Sequence, residues 1–294
     1  MKHDVFENYR PRHDRLVCID SDGCVFDTME IKHKECFCPA MIKVFGLQPI
    51  SKYAREAWEF ENLYSVDRGR SRFITLVRAI NLLKEWDEVK EYHFDFPDIK
   101  DLEDWVANAP MQNNSALKES GNPVLLKTLE WSLECNERIA DMVKGIPPFP
   151  YAAECIRKLS EAADIVIVSS TAKDALEREW QEHDLLKYVH FLCSQEEGTK
   201  KECIAGIRKW YEPEQILMIG DAPGDKEAAR ANGVLFYPIM PGDEINSWKR
   251  FESEEMGHFT DGTYKGEREQ RLEEAFETCL PKLPPWQRGR YTFF

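Results

Sequence analysis

Two carboxylates stand two residues apart in Asp20-Ser21-Asp22-Gly23-Cys24-Val25-Phe26-Asp27-Thr28, and two more lie close together in Gly220-Asp221-Ala222-Pro223-Gly224-Asp225. At a turn such a pair can converge on one ligand, and Gly23 lets the chain bend sharply there. Carboxylates gathered at one point repel each other and need a cation, and hard oxygen donors favour Mg2+. Ser169 offers a hydroxyl, and Lys200, in Gly198-Thr199-Lys200-Lys201-Glu202, offers a positive charge. Carboxylate, hydroxyl, lysine and magnesium are the parts that stabilise a transferring phosphoryl group.

The elements that must position these residues are legible as short apolar runs. Residues 15–20, 164–168, 215–219 and 234–239 are rich in β-branched residues and too short for helices, so they read as buried strands. The first ends in Asp20, the second is closed by Ser169-Ser170-Thr171, and the third by Gly220-Asp221. Continuous rather than alternating runs fit parallel strands covered on both faces. Helical patterns at 152–162, 172–183, 201–210 and 225–232 alternate with them. The fold class is therefore α/β, a doubly wound and mostly parallel sheet, which binds ligands at the carboxyl ends of its strands.

Residues 31–144 break this pattern. They hold few β-branched runs, and helices are expected at 34–45, 51–61, 71–86, 101–107 and 123–143. Asn122-Pro123 opens the last of these, with Pro at the first helical position. Gly145-Ile146-Pro147-Pro148-Phe149-Pro150 closes the segment as a stiff linker. The expected organisation is an α/β core of 1–30 and 145–294 interrupted by a mainly helical domain of 31–144. The tail 281–294 is Pro-rich, then basic and aromatic, and suits wrapping the surface or a subunit contact.

Composition limits the partners. The 294 residues include 39 Lys plus Arg against 53 Asp plus Glu, a formal charge of −14. That balance argues against nucleic acid as the main partner, although a pocket can be locally positive inside an acidic protein. No apolar run approaches the roughly 18–20 residues that span a bilayer, and the charged start MKHDVFENYR lacks the apolar region of a signal peptide. The nine cysteines are irregularly spaced with no CxxC pair, so buried thiols in a reducing cytoplasm are expected. Cys24 and Trp180 read as core, and Asp27-Thr28 as the cap of a helix.

Taken together, Asp-x-Asp-Gly-x-x-x-Asp-Thr, an apolar strand ending in Ser, a Lys, and Gly-Asp-x-x-x-Asp resemble the haloacid dehalogenase superfamily, whose members are mostly phosphatases. All four motifs occur in order, and 31–144 sits where that family inserts a C1-type helical cap. The resemblance implies that Asp20 is the nucleophile forming an aspartyl-phosphate, and that Asp22 protonates the leaving alcohol and then activates water. It implies a Mg2+ held by the Asp20 side chain, the Asp22 backbone carbonyl and Asp221, with Asp225 a ligand or an orienter of metal-bound water. Ser169 would bind a phosphoryl oxygen, with Ser170 beside it, and Lys200 would neutralise the nucleophile and the phosphoryl charge.

The expected reaction is removal of phosphate from a small phosphorylated metabolite by a monomeric or homodimeric enzyme. A phosphomutase acting on a sugar phosphate would use the same core, and a catalytically silent binding module is the alternative from another class. Dehalogenation is disfavoured because that branch carries no acid at the position of Asp22. A nicotinamide dehydrogenase is excluded because no strand is followed by GxGxxG. Outside the core, Asp67-Arg68-Gly69-Arg70-Ser71-Arg72 is a basic patch in an acidic chain. Arginine suits bidentate recognition of carboxylate or phosphate, so Arg68 and Arg72 are expected to bind substrate.

Overall fold

The computed structural model describes residues 4–7 and 9–288. Within them, β1 (Leu16–Ile19), β2 (Asp164–Val168), β3 (Phe191–Cys193), β4 (Ile216–Gly220) and β5 (Leu235–Pro238) form one sheet. Its order is β3-β2-β1-β4-β5 and all four pairings are parallel. Strands β1, β2, β4 and β5 are buried at every position, which is why their sequences are apolar throughout except for Asp164 at the start of β2, whose carboxylate accepts from Tyr211 and the Arg12 amide. β3 is the strand that the sequence reading lacked. Its three residues at the sheet edge are too few to make a run.

The register decides where polar groups gather. Leu16 pairs with Asp164 on one side and Ile216 on the other, and Ile19 pairs with Ile167 and Ile219. The three strands therefore end nearly level, and the Asp20 amide extends the ladder by donating to the Ile219 carbonyl at 3.0 Å. Connections leave β1 toward β2 and β3 and return on its other side at β4. That reversal makes the carboxyl end of β1 the switch point at which open sheets of this kind bind ligands.

Contacts divide the chain into two compact units, Met1–Met29 with Gly145–Cys279, and Glu30–Lys144 with Leu280–Phe294. The first is the α/β unit. Its sheet is covered by helices that include Ala152–Leu159, Lys173–Glu182, Lys200–Arg208 and Pro223–Asn232. Its core takes in Phe26, Trp180, Tyr237, Trp248, Phe251 and Tyr264. The second unit is helical, with Cys38–Phe45, Ser51–Leu63, Arg72–Glu85, Lys100–Asn108 and Pro123–Met142 packed on Trp58, Phe73 and Trp131. Asn122 caps the last of these, its side-chain oxygen accepting from the amides of Val124 and Leu125 at 2.9 and 3.2 Å.

One boundary moves. The tail was expected with the α/β core, but its described part belongs to the helical unit. Trp286 stacks on Trp86 with ring centroids 3.8 Å apart, and the Val66 amide donates to the Pro281 carbonyl at 3.4 Å. Apolar ring area rather than chain proximity decides this. Residues 289–294, the rest of the basic and aromatic tail, lie outside the described residues. None of the nine cysteines forms a disulfide, and eight of them are buried. No helix of the described residues is long and apolar enough to cross a membrane.

Candidate active site

Beyond β1 the chain turns at once. The Ser21 carbonyl accepts from the amides of Cys24, Val25 and Phe26, and the Gly23 amide donates to the Phe26 carbonyl at 2.8 Å. Gly23 has φ +77°, a conformation that a side chain would strain. The Ser21 side chain is buried between the two aspartates. It donates to Glu179 Oε2 at 2.8 Å and accepts from the Trp180 ring N–H at 2.9 Å. Trp180 is core, as expected, and it also pins the turn that carries Asp20 and Asp22.

Asp20, Asp221 and Asp225 are all buried, and each can place one carboxylate oxygen within 4.8 Å of the others. Asp221 follows β4 directly, and Asp225 sits in the first turn of Pro223–Asn232. One oxygen of Asp225 accepts from the Ala222 amide at 3.0 Å. A Cβ on Gly220 would lie 2.4 Å from the Asp225 carboxyl carbon, so only glycine permits this packing. The Gly-Asp-x-x-x-Asp spacing is thus a steric fit as well as a pair of carboxylates that could help hold a cation.

Lys200 enters the same cluster from another element. Its ammonium lies 2.8 Å from Asp20 and 2.5 Å from Asp225. It is the first residue of Lys200–Arg208, which Thr199 opens with a capping box. The Thr199 hydroxyl accepts from the Glu202 amide at 3.2 Å, and Glu202 accepts from the Thr199 amide at 2.7 Å. The Lys-x-Glu spacing therefore fixes where the lysine points. Burial pushes the Asp20 carboxyl well above its usual range, Lys200 opposes that, and Asp225 and Asp221 add to it. Burial works to lower the Lys200 pKa, but Asp20 and Asp225 outweigh it and hold the ammonium charged. Three buried carboxylates against one ammonium leave an excess of negative charge on hard oxygen donors. That suits a divalent cation such as Mg2+.

Ser169 directly follows β2, is buried, and accepts from the Thr171 amide at 3.2 Å, which leaves its own hydrogen as a donor. Ser170 is exposed. Asp22 holds two hydroxyl partners that sequence reasoning did not assign to the site. Thr28 donates to one carboxylate oxygen, and Thr171 donates to the other at 2.6 Å. Thr28 begins the helix Thr28–Ile31 as expected, and its side chain also reaches back to Asp22. The signal for Thr171 was present in the run Ser169-Ser170-Thr171, whose third hydroxyl went unused.

The basic patch is tied into the helical unit. Arg68 is buried and donates to the Leu63 carbonyl at 2.9 Å. Arg70 pairs with Asp67 at 2.6 Å. Arg72 lies 4.8 Å over the Phe37 ring and donates to Asn136 Oδ1 at 2.8 Å and to the Ser132 hydroxyl at 3.3 Å. Among the described residues no carboxylate pairs with Arg72, and burial lowers its pKa.

A family model for haloacid dehalogenase-like hydrolases matches residues 15–233. No curated protein matches the chain. Among solved structures, a protein of Bacteroides fragilis provisionally named a haloacid dehalogenase-like hydrolase is 16% identical, with 80% of this chain and 93% of that one covered and a TM-score of 0.50. One of Lactobacillus plantarum provisionally named a phosphoglycolate phosphatase is 16% identical, with 80% and 90% covered and a TM-score of 0.45. One of Bacteroides vulgatus provisionally named a beta-phosphoglucomutase is 15% identical, with 90% and 97% covered and a TM-score of 0.42. At 16% identity the likeness to the Bacteroides fragilis protein is one of fold.

Proposed function

The chain belongs to the haloacid dehalogenase-like hydrolases, and from that premise we propose that it is a phosphohydrolase acting on a small phosphorylated metabolite through an aspartyl-phosphate. The observation that supports this most directly is Lys200 bridging Asp20 and Asp225, with Asp221 beside them, at the sheet's switch point. A Mg2+ held by Asp20, Asp221, Asp225 and the Asp22 carbonyl would neutralise phosphoryl charge and let a dianion approach a carboxylate nucleophile.

This chain's residues then divide the work. An Asp20 carboxylate oxygen attacks phosphorus, the bond to the ester oxygen breaks, and Asp22 gives that oxygen its proton. Lys200 opposes the burial that pushes the Asp20 carboxyl above its usual range. The Ser169 hydroxyl donates to a phosphoryl oxygen. In the second half a water attacks phosphorus, its proton passes to Asp22, and the bond from phosphorus to Asp20 breaks, releasing phosphate. Ser170 and Arg72 are the proposed substrate contacts. Arg72 is preferred to Arg68, whose guanidinium is buried against the Leu63 carbonyl.

A screen of phosphorylated metabolites with Mg2+, reading released phosphate, tests the reading. Asp20→Asn is expected to abolish release, from p-nitrophenyl phosphate as from the best metabolite, while the protein stays folded. Turnover retained by Asp20→Asn would remove the nucleophile assignment. Transfer to a sugar acceptor with little free phosphate would replace hydrolase by phosphomutase.

A further inference from the structure

Asp22 carries a proton in the proposed reaction, and each of its carboxylate oxygens is held by a hydroxyl. One carboxylate oxygen takes the Thr28 hydroxyl, and the other takes the Thr171 hydroxyl at 2.6 Å. Thr171 is 149 residues from Asp22 in sequence and arrives from the end of a different strand. Its position is fixed at both ends of its own backbone. Its amide donates to Ser169 Oγ at 3.2 Å, and its carbonyl accepts from the Gln195 amide at 3.2 Å. A hydroxyl both donates and accepts.

We propose that Thr171 is the positioning residue that holds the Asp22 carboxyl in one orientation, its hydroxyl donating to one carboxylate oxygen while Thr28 holds the other. The proposal rests on the phosphohydrolase reading, in which Asp22 carries the proton. Thr171 touches neither leaving group nor phosphorus in this role. Its loss should matter in proportion to how much the leaving oxygen needs a proton. The hydroxyl is the working part, so serine should replace threonine and valine, of nearly the same shape, should not.

The test compares wild type, Thr171→Val and Thr171→Ser in single-turnover release of the phenol from p-nitrophenyl phosphate and from phenyl phosphate, with Mg2+ present. For Thr171→Val the expected result is release within about threefold of wild type on the nitrophenyl ester and at least about tenfold slower on the phenyl ester. Thr171→Ser should track wild type on both. Equal losses on the two esters, or a serine variant as impaired as valine, would overturn the proposal. A crystal structure of Thr171→Val provides a readout independent of turnover. The Asp22 side chain should leave its wild-type orientation while the backbone of 20–28 stays in place, and an unmoved Asp22 also overturns the proposal. If wild type releases no phenol, or Asp20→Asn still does, the phosphohydrolase reading fails, and the crystallographic result alone then decides whether Thr171 positions Asp22.

Discussion

Lys200→Met is the most demanding test of how the site is held together. The ammonium is the cation that the structure sets against Asp20 and Asp225, at 2.8 and 2.5 Å, and the Asp225 side chain is fully buried. Removing one partner of a buried ion pair costs about 3–5 kcal/mol, because the charge left behind is uncompensated. For a unit of this size that corresponds to a melting temperature lower by roughly 6–20 °C. The measurement is thermal unfolding in chelator, at several pH values. Burial already raises the Asp20 carboxyl, and losing Lys200 removes the main influence that lowers it. A group whose folded pKa lies above its unfolded value contributes stability below the unfolded pKa and loses it as pH rises through the folded one. The variant's deficit should therefore be larger at about pH 8 than at about pH 5.5. Added Mg2+ should recover part of it, about 2.7 kcal/mol at a hundredfold excess over Kd. A loss under about 1 kcal/mol, the range of an exposed ion pair, would refute the reasoning. So would a deficit that shrinks with rising pH.

Two further outcomes follow from single positions. Gly220→Ala forces a Cβ to within 2.4 Å of the Asp225 carboxyl carbon, so it should cost about 1–3 kcal/mol and abolish Mg2+-dependent phosphate release. Gly224→Ala, four residues along with nothing within 4 Å of its added Cβ, should leave melting temperature and release unchanged, and equal effects from the two would remove the steric argument. In the helical unit, burial raises Glu61 to about 7 despite Arg78 and Arg70, so its contribution is present below its unfolded pKa and lost as pH rises through about 7. Denaturant unfolding should show wild type losing on the order of 3 kcal/mol relative to Glu61→Gln between about pH 5 and about pH 8, and parallel curves for the two would exclude it.

The sequence by itself determined the strands of the sheet's centre and the polar residues at their ends. An apolar run that stops at Asp20, at Ser169 or at Gly220-Asp221 marks both the strand and the polar residue it delivers, because burial on two faces leaves no room for polar groups earlier. The capping box in Thr199-Lys200-Lys201-Glu202 and the Asn122-Pro123 helix start were likewise local, and local capping chemistry is written in adjacent residues.

What tertiary structure decided was everything that depends on register and on ring packing. Pairing Ile19 with both Ile167 and Ile219 is what brings three strand ends level. Only that alignment lets Thr171 reach Asp22, or Lys200 reach Asp20. β3 was invisible because three residues at an edge form no pattern. The tail's place was equally hidden, since a Trp86–Trp286 stack joins positions two hundred residues apart with no periodicity between them. The patch at 68–72 shows the same limit. Its charge was plain in the sequence, but that Arg72 lies over Phe37 and donates to Asn136 and Ser132, while Arg70 pairs with nearby Asp67, is decided by the packing of the helices.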